Sequence, residues 1–564
     1  MLFCAISEGY RLMVIAGIFG VANHIYFNRN EPTKNTFYGA LAILLLEPLG
    51  INVLNHTLCL SSTSTSSLIS ITRILLTYTS FYFALCTSII IYRLSPFHPL
   101  AEVPGPAIAR ISKLYSIWIW LKGKRHLEHM KYHEQYGPVV RIAPNEISVI
   151  DMDSIRTVLG PGGLPKGQSY SSRRDERTEG SLLALTGEPR VKRRRLWARG
   201  MAPESIRNYE DLIRVHATKL LERLSERIYE KVDLGVWLNY FTFDFTVDMA
   251  FGDGSHMLQE AGDKDGMWDT MEHAAFQMEA ISHVPWLANL GRDLSFLPKP
   301  ALRIRDVGLE LASNRAKLGS RIKDLWYHLS DDAGLEKEKP SLRAVISDGV
   351  LAIMAGADTT SAAMRHFFWM ILAHPQYYKQ LQEEVDATFP SEADALDSSK
   401  YCDMPFLNAC LNESLRLLPP LPTGGLREVP HGSGGKVIGG FFIPEGTQVH
   451  VPPHSVHRNS SHFSPSPDEF LPARWLLSKS SDLKLLSHNT DAFIPFSFGP
   501  ENCIGKNLAR KEMMMTISLL MQKLDFRFAD GFDWEAWPRK LKDYFVYSRE
   551  PLMVMATPRA STVH

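Results

Sequence analysis

Three apolar runs lie within the first 95 residues, and they constrain the fold more than any other feature of the sequence. Residues 12–27 are nearly free of charge, residues 37–54 are weakened by Glu47, and residues 68–92 form the longest run. About 20 apolar residues cross the hydrocarbon core of a bilayer, so the third run predicts a membrane-spanning helix and the first two are long enough to add others. A cleaved signal peptide is the alternative for the first run.

The distribution of basic residues predicts how these runs are oriented. Arg29 and Lys34 lie in the loop after the first run, whereas the Ser/Thr-rich loop 61–67 has no basic residue. Cytoplasmic loops are enriched in Lys and Arg, so both a three-span and a one-span arrangement place the chain after Arg93 in the cytosol. We therefore expect residues 1–95 to form a membrane anchor with one to three transmembrane helices.

A proline-rich segment, residues 96–106, follows the anchor region. Its spaced prolines cannot continue a helix and predict a stiff, extended strap. We expect this strap to join the anchor region to a single large region, residues 107–564.

Composition narrows the class of protein. Lys plus Arg and Asp plus Glu both number 61, a balance that gives no support for nucleic-acid binding. The six cysteines are scattered without a CxxC pair or a disulfide framework, which favours a reducing, cytosol-facing environment.

One of those cysteines, Cys503, stands in the stretch Phe496-Ser-Phe-Gly-Pro-Glu-Asn-Cys-Ile-Gly505. Gly499 and Gly505 permit unusual turns and the close approach of a flat group. Residues 506–516 predict a helix, and amide donors at a helix N-terminus stabilise a thiolate. A thiolate is one of the axial ligands of haem iron. A structural cysteine in a loop is the alternative.

Helical periodicity dominates between residue 150 and about residue 430, and hairpins are predicted at residues 136–150 and 436–451. Residues 345–373 predict a long apolar helix that is interrupted by Ala355-Gly-Ala-Asp-Thr-Thr360. Thr359 can donate to a carbonyl of the preceding turn and open the helix, and Asp358 can relay protons. Gly356 would leave room beside a ligand. Satisfied polar residues of a core helix are the alternative.

Two further clusters of charge are prominent. The segment 187–199 is densely basic, and Arg190 and Arg194 lie one helical turn apart, suited to binding carboxylates. A solvated helix face or a membrane-surface patch is the alternative. Glu413 and Arg416, three residues apart on a predicted helix, share one face, and a surface ion pair is the simplest explanation.

Taken together, these motifs resemble those of the cytochrome P-450 family. Phe-x-x-Gly-x-x-x-Cys-x-Gly resembles the haem-binding loop, and Ala355–Thr359 matches the Ala-Gly-x-Asp-Thr motif at every position. Glu413 and Arg416, followed by Arg474, resemble the Glu-x-x-Arg network of the family. The motifs occur in the family's order over residues 97–558.

The resemblance implies a mainly α fold with small β-sheets, the cytochrome P-450 fold, preceded by transmembrane segments. It also implies that the proline-rich segment 96–106 is a hinge and that residues 107–564 form the haem-thiolate catalytic region. It implies haem b, with Cys503 as the axial ligand of the iron and Asp358 and Thr359 as the residues that support dioxygen activation. Further residues are implied to bind the haem (Phe496, Gly499, Arg194 and Arg427) or to prop the cysteine loop structurally (Glu413, Arg416 and Arg474).

One position departs from the family's pattern. Glu501 stands where the family usually carries Arg or His to meet a haem propionate. An anion cannot neutralise a propionate, so the contact must come from elsewhere or be absent, and Arg190 is an additional cation that would offset its loss. On this basis Glu501→Arg is expected to leave haem retention equal or better.

The implied function is a membrane-anchored monooxygenase that oxidises a lipophilic small molecule: a terpenoid, polyketide, sterol or fatty acid. Nothing in the sequence resembles a flavin or nicotinamide site, so electrons from NADPH are expected through a separate membrane flavoprotein reductase. Lys506, Arg510 and Lys511 are candidates for its docking face, with a solvated helix face as the alternative. The endoplasmic reticulum is the expected location. The several apolar N-terminal runs and the Gly-Pro-Glu-Asn-Cys variant resemble those of fungal members that serve secondary metabolism.

Two other functions stay open at this point. The first is a haem-thiolate enzyme that rearranges a peroxide or isomerises its substrate without a reductase, against which Asp358 and Thr359 argue. The second is a non-catalytic haem sensor, which would need a second axial ligand that no motif supplies.

Overall fold

The chain begins with three long helices, Leu2–Arg29, Phe37–Cys59 and Ile71–Leu94. The structure is a computed structural model that describes residues 2–30, 32, 36–59, 71–171, 179–252, 254–285, 300–319, 323–390, 393–476 and 487–559. The segments Gly9–Arg29, Phe37–Asn55 and Ile71–Leu94 are each long and apolar enough to cross a membrane. All three predicted runs are therefore helical over their described residues, and each is suited to a bilayer.

Small and polar residues pack these three helices against one another. A Cβ atom added at Gly20 would lie 2.4 Å from the Phe81 carbonyl oxygen, so the backbones of the first and third helices are in close contact there. The Asn52 amide donates to the Thr77 hydroxyl at 2.6 Å, joining the second helix to the third. Both features are common where helices associate in a membrane.

The proline-rich segment 96–106 is not the extended strap that its prolines predict. It turns on itself, with the His98 N–H donating to the Ser95 carbonyl at 3.3 Å and the Ala101 N–H to the His98 carbonyl at 2.8 Å. Leu100 and Val103 are each 1% exposed and join the core around the first sheet. Burial of these two apolar side chains folds the hinge onto the catalytic region.

A buried guanidinium fixes this folded hinge. Arg141 is fully buried and donates to the carbonyls of Pro144 (3.0 and 3.2 Å), Leu100 (3.4 Å) and Arg93 (3.3 Å). Burial, together with the nearby charges of Arg110 and Arg93, lowers the pKa of Arg141 to about 10. One side chain thus joins the end of the third helix, the hinge and the first strand.

The catalytic region is mainly helical, as predicted. Its α-helices are Ala107–Ile111, Lys113–Leu121, Arg125–Tyr136, Met152–Leu159, Gln168–Ser171, Gly187–Gly200, Pro203–Ser225, Leu234–Phe251, Met257–Glu260, Met267–His283, Pro300–Leu318, Leu325–Leu329, Leu342–Leu372, Pro375–Thr388, Pro405–Leu417, Pro453–Val456, Lys506–Lys523 and Trp537–Lys540. Short 3-10 turns cover Ser398–Asp403, Pro472–Trp475, Thr490–Ala492 and Gly499–Glu501.

The helix Leu342–Leu372, called the long helix below, lies at the centre of the core. The Ser341 hydroxyl caps its first turn by accepting from the Ala344 N–H at 3.1 Å, and it ends just before Pro375 starts the next helix. It packs along Leu234–Phe251, a helix buried over most of its length. The long helix therefore carries its Asp-Thr pair through the middle of the catalytic region.

Four small sheets are formed by the described part of the chain. The strands are β1 (Val139–Ala143), β2 (Glu146–Val149), β3 (Lys231–Asp233), β4 (Arg427–Glu428), β5 (Lys436–Ile438), β6 (Phe441–Ile443), β7 (Gln448–His450), β8 (Leu524–Phe528), β9 (Asp543–Tyr544), β10 (Val546–Tyr547) and β11 (Met553–Pro558). Their orders are β1-β2-β7-β4, β10-β9, β3-β11-β8 and β5-β6.

Of the two predicted hairpins, the first is present and the second is present only in part. β1 and β2 form the first hairpin, with Val139 opposite Val149. The second is wrong over part of its length, because only β5 and β6 pair as a hairpin, whereas β7 runs parallel to β2 in the first sheet. This exchange brings Arg427 of β4, the neighbour of β7, to the edge of the first sheet.

Candidate haem site

The loop that carries Cys503 is closed by its own backbone. The Cys503 N–H donates to the Phe496 carbonyl at 2.8 Å, and the Asn502 N–H donates to the Gly499 carbonyl at 3.1 Å. Gly499 has φ +70°, and a Cβ atom there would lie 2.0 Å from the Leu159 carbonyl oxygen. Gly499 is therefore required by the turn and by its neighbour Leu159, and Phe496 positions the cysteine through its carbonyl.

Gly505 behaves differently from Gly499. Its φ of −84° is open to any residue, so the expectation of an unusual turn there is wrong. A Cβ atom at Gly505 would meet nothing within 4 Å, which leaves the space beside the loop open to a flat group. The helix Lys506–Lys523 starts immediately afterwards, as the sequence predicts.

The Cys503 side chain is accessible to solvent, but protein atoms crowd around the thiol and shift its pKa. Burial among protein atoms raises the pKa of the thiol, whereas the backbone N–H groups of Gly505 and Lys506 and the charge of Arg194 act in the opposite direction. These donors and this charge are the groups that stabilise a thiolate once a metal takes the proton's place.

A cluster of four cations surrounds one carboxylate next to this loop. Arg190 Nε lies 3.1 Å from Glu501 Oε1, and the Arg427 guanidinium pairs with Glu501 Oε2. Arg194 donates to the Asn502 carbonyl at 3.1 Å and to its side-chain oxygen at 2.8 Å. The structure thus brings Arg190, Arg194 and Arg427 together, as haem-carboxylate binding would require.

Sequence reasoning missed the fourth cation, Lys166. Its ammonium donates to the carbonyls of Leu182 and Leu183 at 3.2 and 2.7 Å. Burial, which the charges of Arg190 and Arg427 reinforce, lowers its pKa to about 8. The residue stands in a segment without a motif. Its isolated backbone bridge to Arg427 of β4 places it in the cluster, and no spacing in the sequence indicates that bridge.

The remaining arginines of the basic run 187–199 are engaged within the protein. Arg193 pairs with Asp348 at 2.9 Å, Arg195 with Glu336 at 2.6 Å, and Arg199 with Asp331 at 2.8 Å. These ion pairs disagree with a free membrane-surface patch.

The polar pair of the long helix lies on a face that is only partly buried. The Thr359 hydroxyl donates to the Ala355 carbonyl at 2.7 Å, the bond to the preceding turn that the sequence predicts. The helix stays continuous through this point, so the expected local opening is absent between Leu342 and Leu372. Gly356 does not face a ligand as expected, because a Cβ atom there would lie 2.8 Å from Thr246 Cγ2.

Asp358 lies beside Thr359 on the same helix. Burial raises the pKa of its carboxyl group, against the opposing charges of Arg549 and Arg365. Within the residues that the structure describes, no side chain donates a hydrogen bond to this carboxylate. Asp358 is thus an acid with a raised pKa whose carboxylate has no side-chain donor among the described residues.

Glu413, Arg416 and Arg474 form a buried network rather than a surface ion pair. The Glu413 carboxylate accepts from Arg416 at 2.8 and 2.9 Å and from Arg474 at 2.9 Å. It also accepts from the Trp475 indole at 2.9 Å and the Leu471 N–H at 3.0 Å. All three charged side chains are at most 2% exposed. Both arginines share this one carboxylate and donate further to backbone carbonyls, among them those of His457 and Ser466.

His457 carries this network to the cysteine loop. Its Nδ1 hydrogen-bonds the Arg416 carbonyl at 2.9 Å, and its Nε2 accepts from the Ile494 N–H at 2.9 Å. The first contact needs a proton on Nδ1 and the second a lone pair on Nε2, which fixes the neutral tautomer. Ile494 precedes Phe496 by two residues, so the network reaches the start of the loop.

Two of the three basic residues of the candidate docking face, Arg510 and Lys511, are engaged in contacts within the protein. Arg510 donates to the side-chain oxygens of Asn412 and Asn408, both at 2.8 Å, and Lys511 pairs with Glu210 at 3.0 Å. Lys506 remains exposed.

The apolar loop 281–290, which resembles a membrane-dipping loop of the family, lies outside the described residues from residue 286 onwards.

The chemistry of these residues fits a haem. Cys503 would supply a thiolate for the iron, the opening at Gly505 would admit a flat group, and the four cations exceed the carboxylate of Glu501 by three charges. Two propionates would find compensation there. A haem bound at this site supplies the iron chemistry that activates oxygen. The fold and the site together define a haem-thiolate protein.

Comparison with known proteins gives the family. Residues 106–540 match the family described as Cytochrome P450, and the chain belongs to it. Cytochrome P450 67 of Uromyces fabae is 32% identical over 95% of this chain and 98% of that protein. Averantin hydroxylase of Dothistroma septosporum is 31% identical over 83% of this chain and 89% of that protein.

A third relative and a solved structure agree with this family. Trichothecene C-15 hydroxylase of Fusarium sporotrichioides is 28% identical over 84% of this chain and 95% of that protein. A solved structure of a zebra fish cytochrome P450 with abiraterone has a TM-score of 0.62 and 21% identity, covering 77% of this chain and 99% of that one. The latter shows the fold alone. The protein is a cytochrome P450 monooxygenase of the kind found in fungal secondary metabolism.

Proposed function

We propose that this monooxygenase inserts one oxygen atom of O2 into a lipophilic small molecule, a terpenoid, polyketide, sterol or fatty acid, while the other atom leaves as water. The two electrons come from NADPH through a separate membrane flavoprotein reductase. The relatives named as averantin hydroxylase and trichothecene C-15 hydroxylase support a hydroxylation of this kind in secondary metabolism.

The observation that carries the proposal is the arrangement of Asp358 and Thr359. A reaction that splits O2 consumes protons, and Asp358 is an acid with a raised pKa next to a hydroxyl held in place by Ala355. A rearrangement of a peroxide needs no such delivery. This contrast favours the monooxygenase over the isomerase, and Asp358 and Thr359 are the residues we assign to proton delivery.

The site residues receive the following assignments. Cys503 ligates the haem iron. Arg194 and Arg427 bind its propionates. Phe496 and Gly499 shape the loop. Glu413, Arg416 and Arg474 hold that loop in place structurally.

The three N-terminal helices support a location in the endoplasmic reticulum membrane, with the catalytic region in the cytosol. Arg29 and Arg93 end the first and third helices and favour the cytosolic side. The lipophilic substrate would then reach the enzyme from the bilayer.

Two measurements test the function. Cys503→Ser should abolish the red-shifted carbon-monoxide band of the reduced enzyme, whereas Cys402→Ser, an exposed cysteine, should leave it intact. Membranes that contain this enzyme and a reductase should convert a component of a lipophilic extract only when NADPH is present. Conversion without NADPH would instead support the rearranging enzyme.

A further inference from the structure

Glu501 bridges two arginines that come from separate parts of the fold. Its Oε1 lies 3.1 Å from Nε of Arg190, on the helix Gly187–Gly200, and its Oε2 pairs with Arg427 on β4. The side chains of the two arginines are only 11% and 8% exposed, and that of Glu501 is 20% exposed. An ion pair shielded to this degree holds its partners more firmly than a solvated one.

We propose that Glu501 is a positioning residue that holds Arg190 and Arg427 in place for the haem propionates, replacing the cation that the family usually carries at this position. The inference rests on the proposed haem site. It assigns to Glu501 an action through two other side chains rather than a contact of its own with the propionates.

The donors of the two arginines support this assignment. A guanidinium has five N–H donors in a planar fork. Glu501 contacts one nitrogen of each guanidinium, Nε of Arg190 and Nη1 of Arg427. The other contacts are long: Arg190 to the Pro500 carbonyl at 3.5 Å and Arg427 to the Leu164 carbonyl at 3.5 Å. Among the described residues no further acceptor is seen, so both guanidinium groups keep donors for a carboxylate ligand.

The balance of charge points the same way. Among the described contacts, Lys166, Arg190, Arg194 and Arg427 lie around the carboxylate of Glu501, and these five groups carry an excess of three positive charges before the two propionates arrive. An arginine at position 501 would remove that carboxylate and raise the excess to five. Repulsion between neighbouring cations would then push the forks apart.

The structure therefore reverses the expectation drawn from the sequence, in which Glu501→Arg preserves or improves haem retention. We now expect this variant to lose haem faster than the wild type, because it breaks two existing ion pairs and adds a fifth cation. Glu501→Gln, which keeps the shape of the side chain, should show the same effect to a smaller extent.

The experiment measures the transfer of haem from the full-length enzyme, in detergent, to apomyoglobin. Glu501→Gln should speed haem loss by about tenfold or more, as expected for the truncation of a shielded ion pair. Arg190→Gln should speed it as well, but the double variant should be no worse than Glu501→Gln alone, because the two residues act as one unit.

A second readout separates positioning from simple destabilisation. Removing a negative charge near the haem disfavours the ferric state, so Glu501→Gln should raise the reduction potential while the red-shifted carbon-monoxide band is kept. Glu188→Gln and Lys192→Gln are matched controls, since this pair on the same helix is 78% and 63% exposed, and neither should alter haem loss or potential.

The outcomes are distinct. Additive effects of Arg190→Gln and Glu501→Gln, or haem retention by Glu501→Arg as good as that of the wild type, would overturn the inference while leaving the proposed function standing. A wild-type enzyme that lacks the red-shifted band would overturn the haem-thiolate site itself, and the inference with it.

Discussion

Replacing Glu413 with glutamine tests whether the buried network supports the cysteine loop. The substitution keeps the size of the side chain and removes its charge. Glu413 accepts five hydrogen bonds, two from Arg416, one from Arg474, one from Trp475 and one from the Leu471 N–H. Glutamine has a single acceptor oxygen, and its NH2 group would face donors instead of accepting from them.

The magnitude follows from the burial of the two arginines. Arg416 and Arg474 are 0% and 2% exposed and lose their only carboxylate partner within the described residues. Truncating one partner of a buried charge pair costs about 3–5 kcal/mol. We therefore expect Glu413→Gln to lower the free energy of unfolding by about 3–5 kcal/mol and to release the loop through His457 and Ile494.

The assay is urea unfolding of the haem-loaded protein, followed by tryptophan fluorescence and, in parallel, by the red-shifted carbon-monoxide band. The band should be lost at a lower urea concentration than the fluorescence change, because the loop is released first. Glu188→Gln, in an exposed pair, is the control and should shift stability by less than about 0.5 kcal/mol. A stability and haem content for Glu413→Gln equal to those of this control would refute the reasoning.

Three further outcomes are expected. Thr359→Ala should keep a normal haem spectrum but lower product formed per NADPH and increase hydrogen peroxide release, and an unchanged yield would leave Thr359 as an ordinary helix residue. Burial lowers the pKa of His366 and of His457 to about 3. Because an unfolded histidine binds its proton near pH 6.5, each should remove about 1.4 kcal/mol of stability per pH unit as the pH falls below 6.5, and an unfolding midpoint equal at pH 7.5 and 5.5 would contradict this. Arg141→Met should speed tryptic cleavage after Arg93 or Arg110, whereas Arg156→Met, whose side chain is 51% exposed, should not; equal cleavage of the two variants would show that Arg141 does not hold the hinge.

Local chemistry explains why much of the architecture can be predicted from the sequence. The apolar runs, the first hairpin and the long helix follow from periodicity, turn residues and length. The cysteine loop with its following helix is equally local, since Gly499 and the helix start are separated by only a few residues. These features depend on neighbours in the chain, which a sequence displays directly.

Contacts between distant segments account for the errors. The partner of Gly499 is Leu159, and the neighbour of Gly356 is Thr246, neither of which any spacing in the sequence indicates. Glu501 reads as an obstacle to haem binding until its two arginines are seen, one about 310 positions earlier in the chain. Lys166 belongs to the same case, since it joins the cluster through a strand-like bridge to β4.

The folded hinge has a consequence for how the enzyme meets the bilayer. The last turn of the third helix is joined to the catalytic region by two hydrogen bonds of Arg93. Its side chain donates to the Ile111 carbonyl at 2.6 Å, and its carbonyl accepts from Arg141 at 3.3 Å. Each residue added to a helix turns its end by about 100° and advances it by about 1.5 Å. Because these two hydrogen bonds fix the end of the third helix to the catalytic region, the catalytic region must rotate and shift together with that end. The number of residues between Ile71 and Leu94 therefore determines which side of the catalytic region is turned towards the lipid.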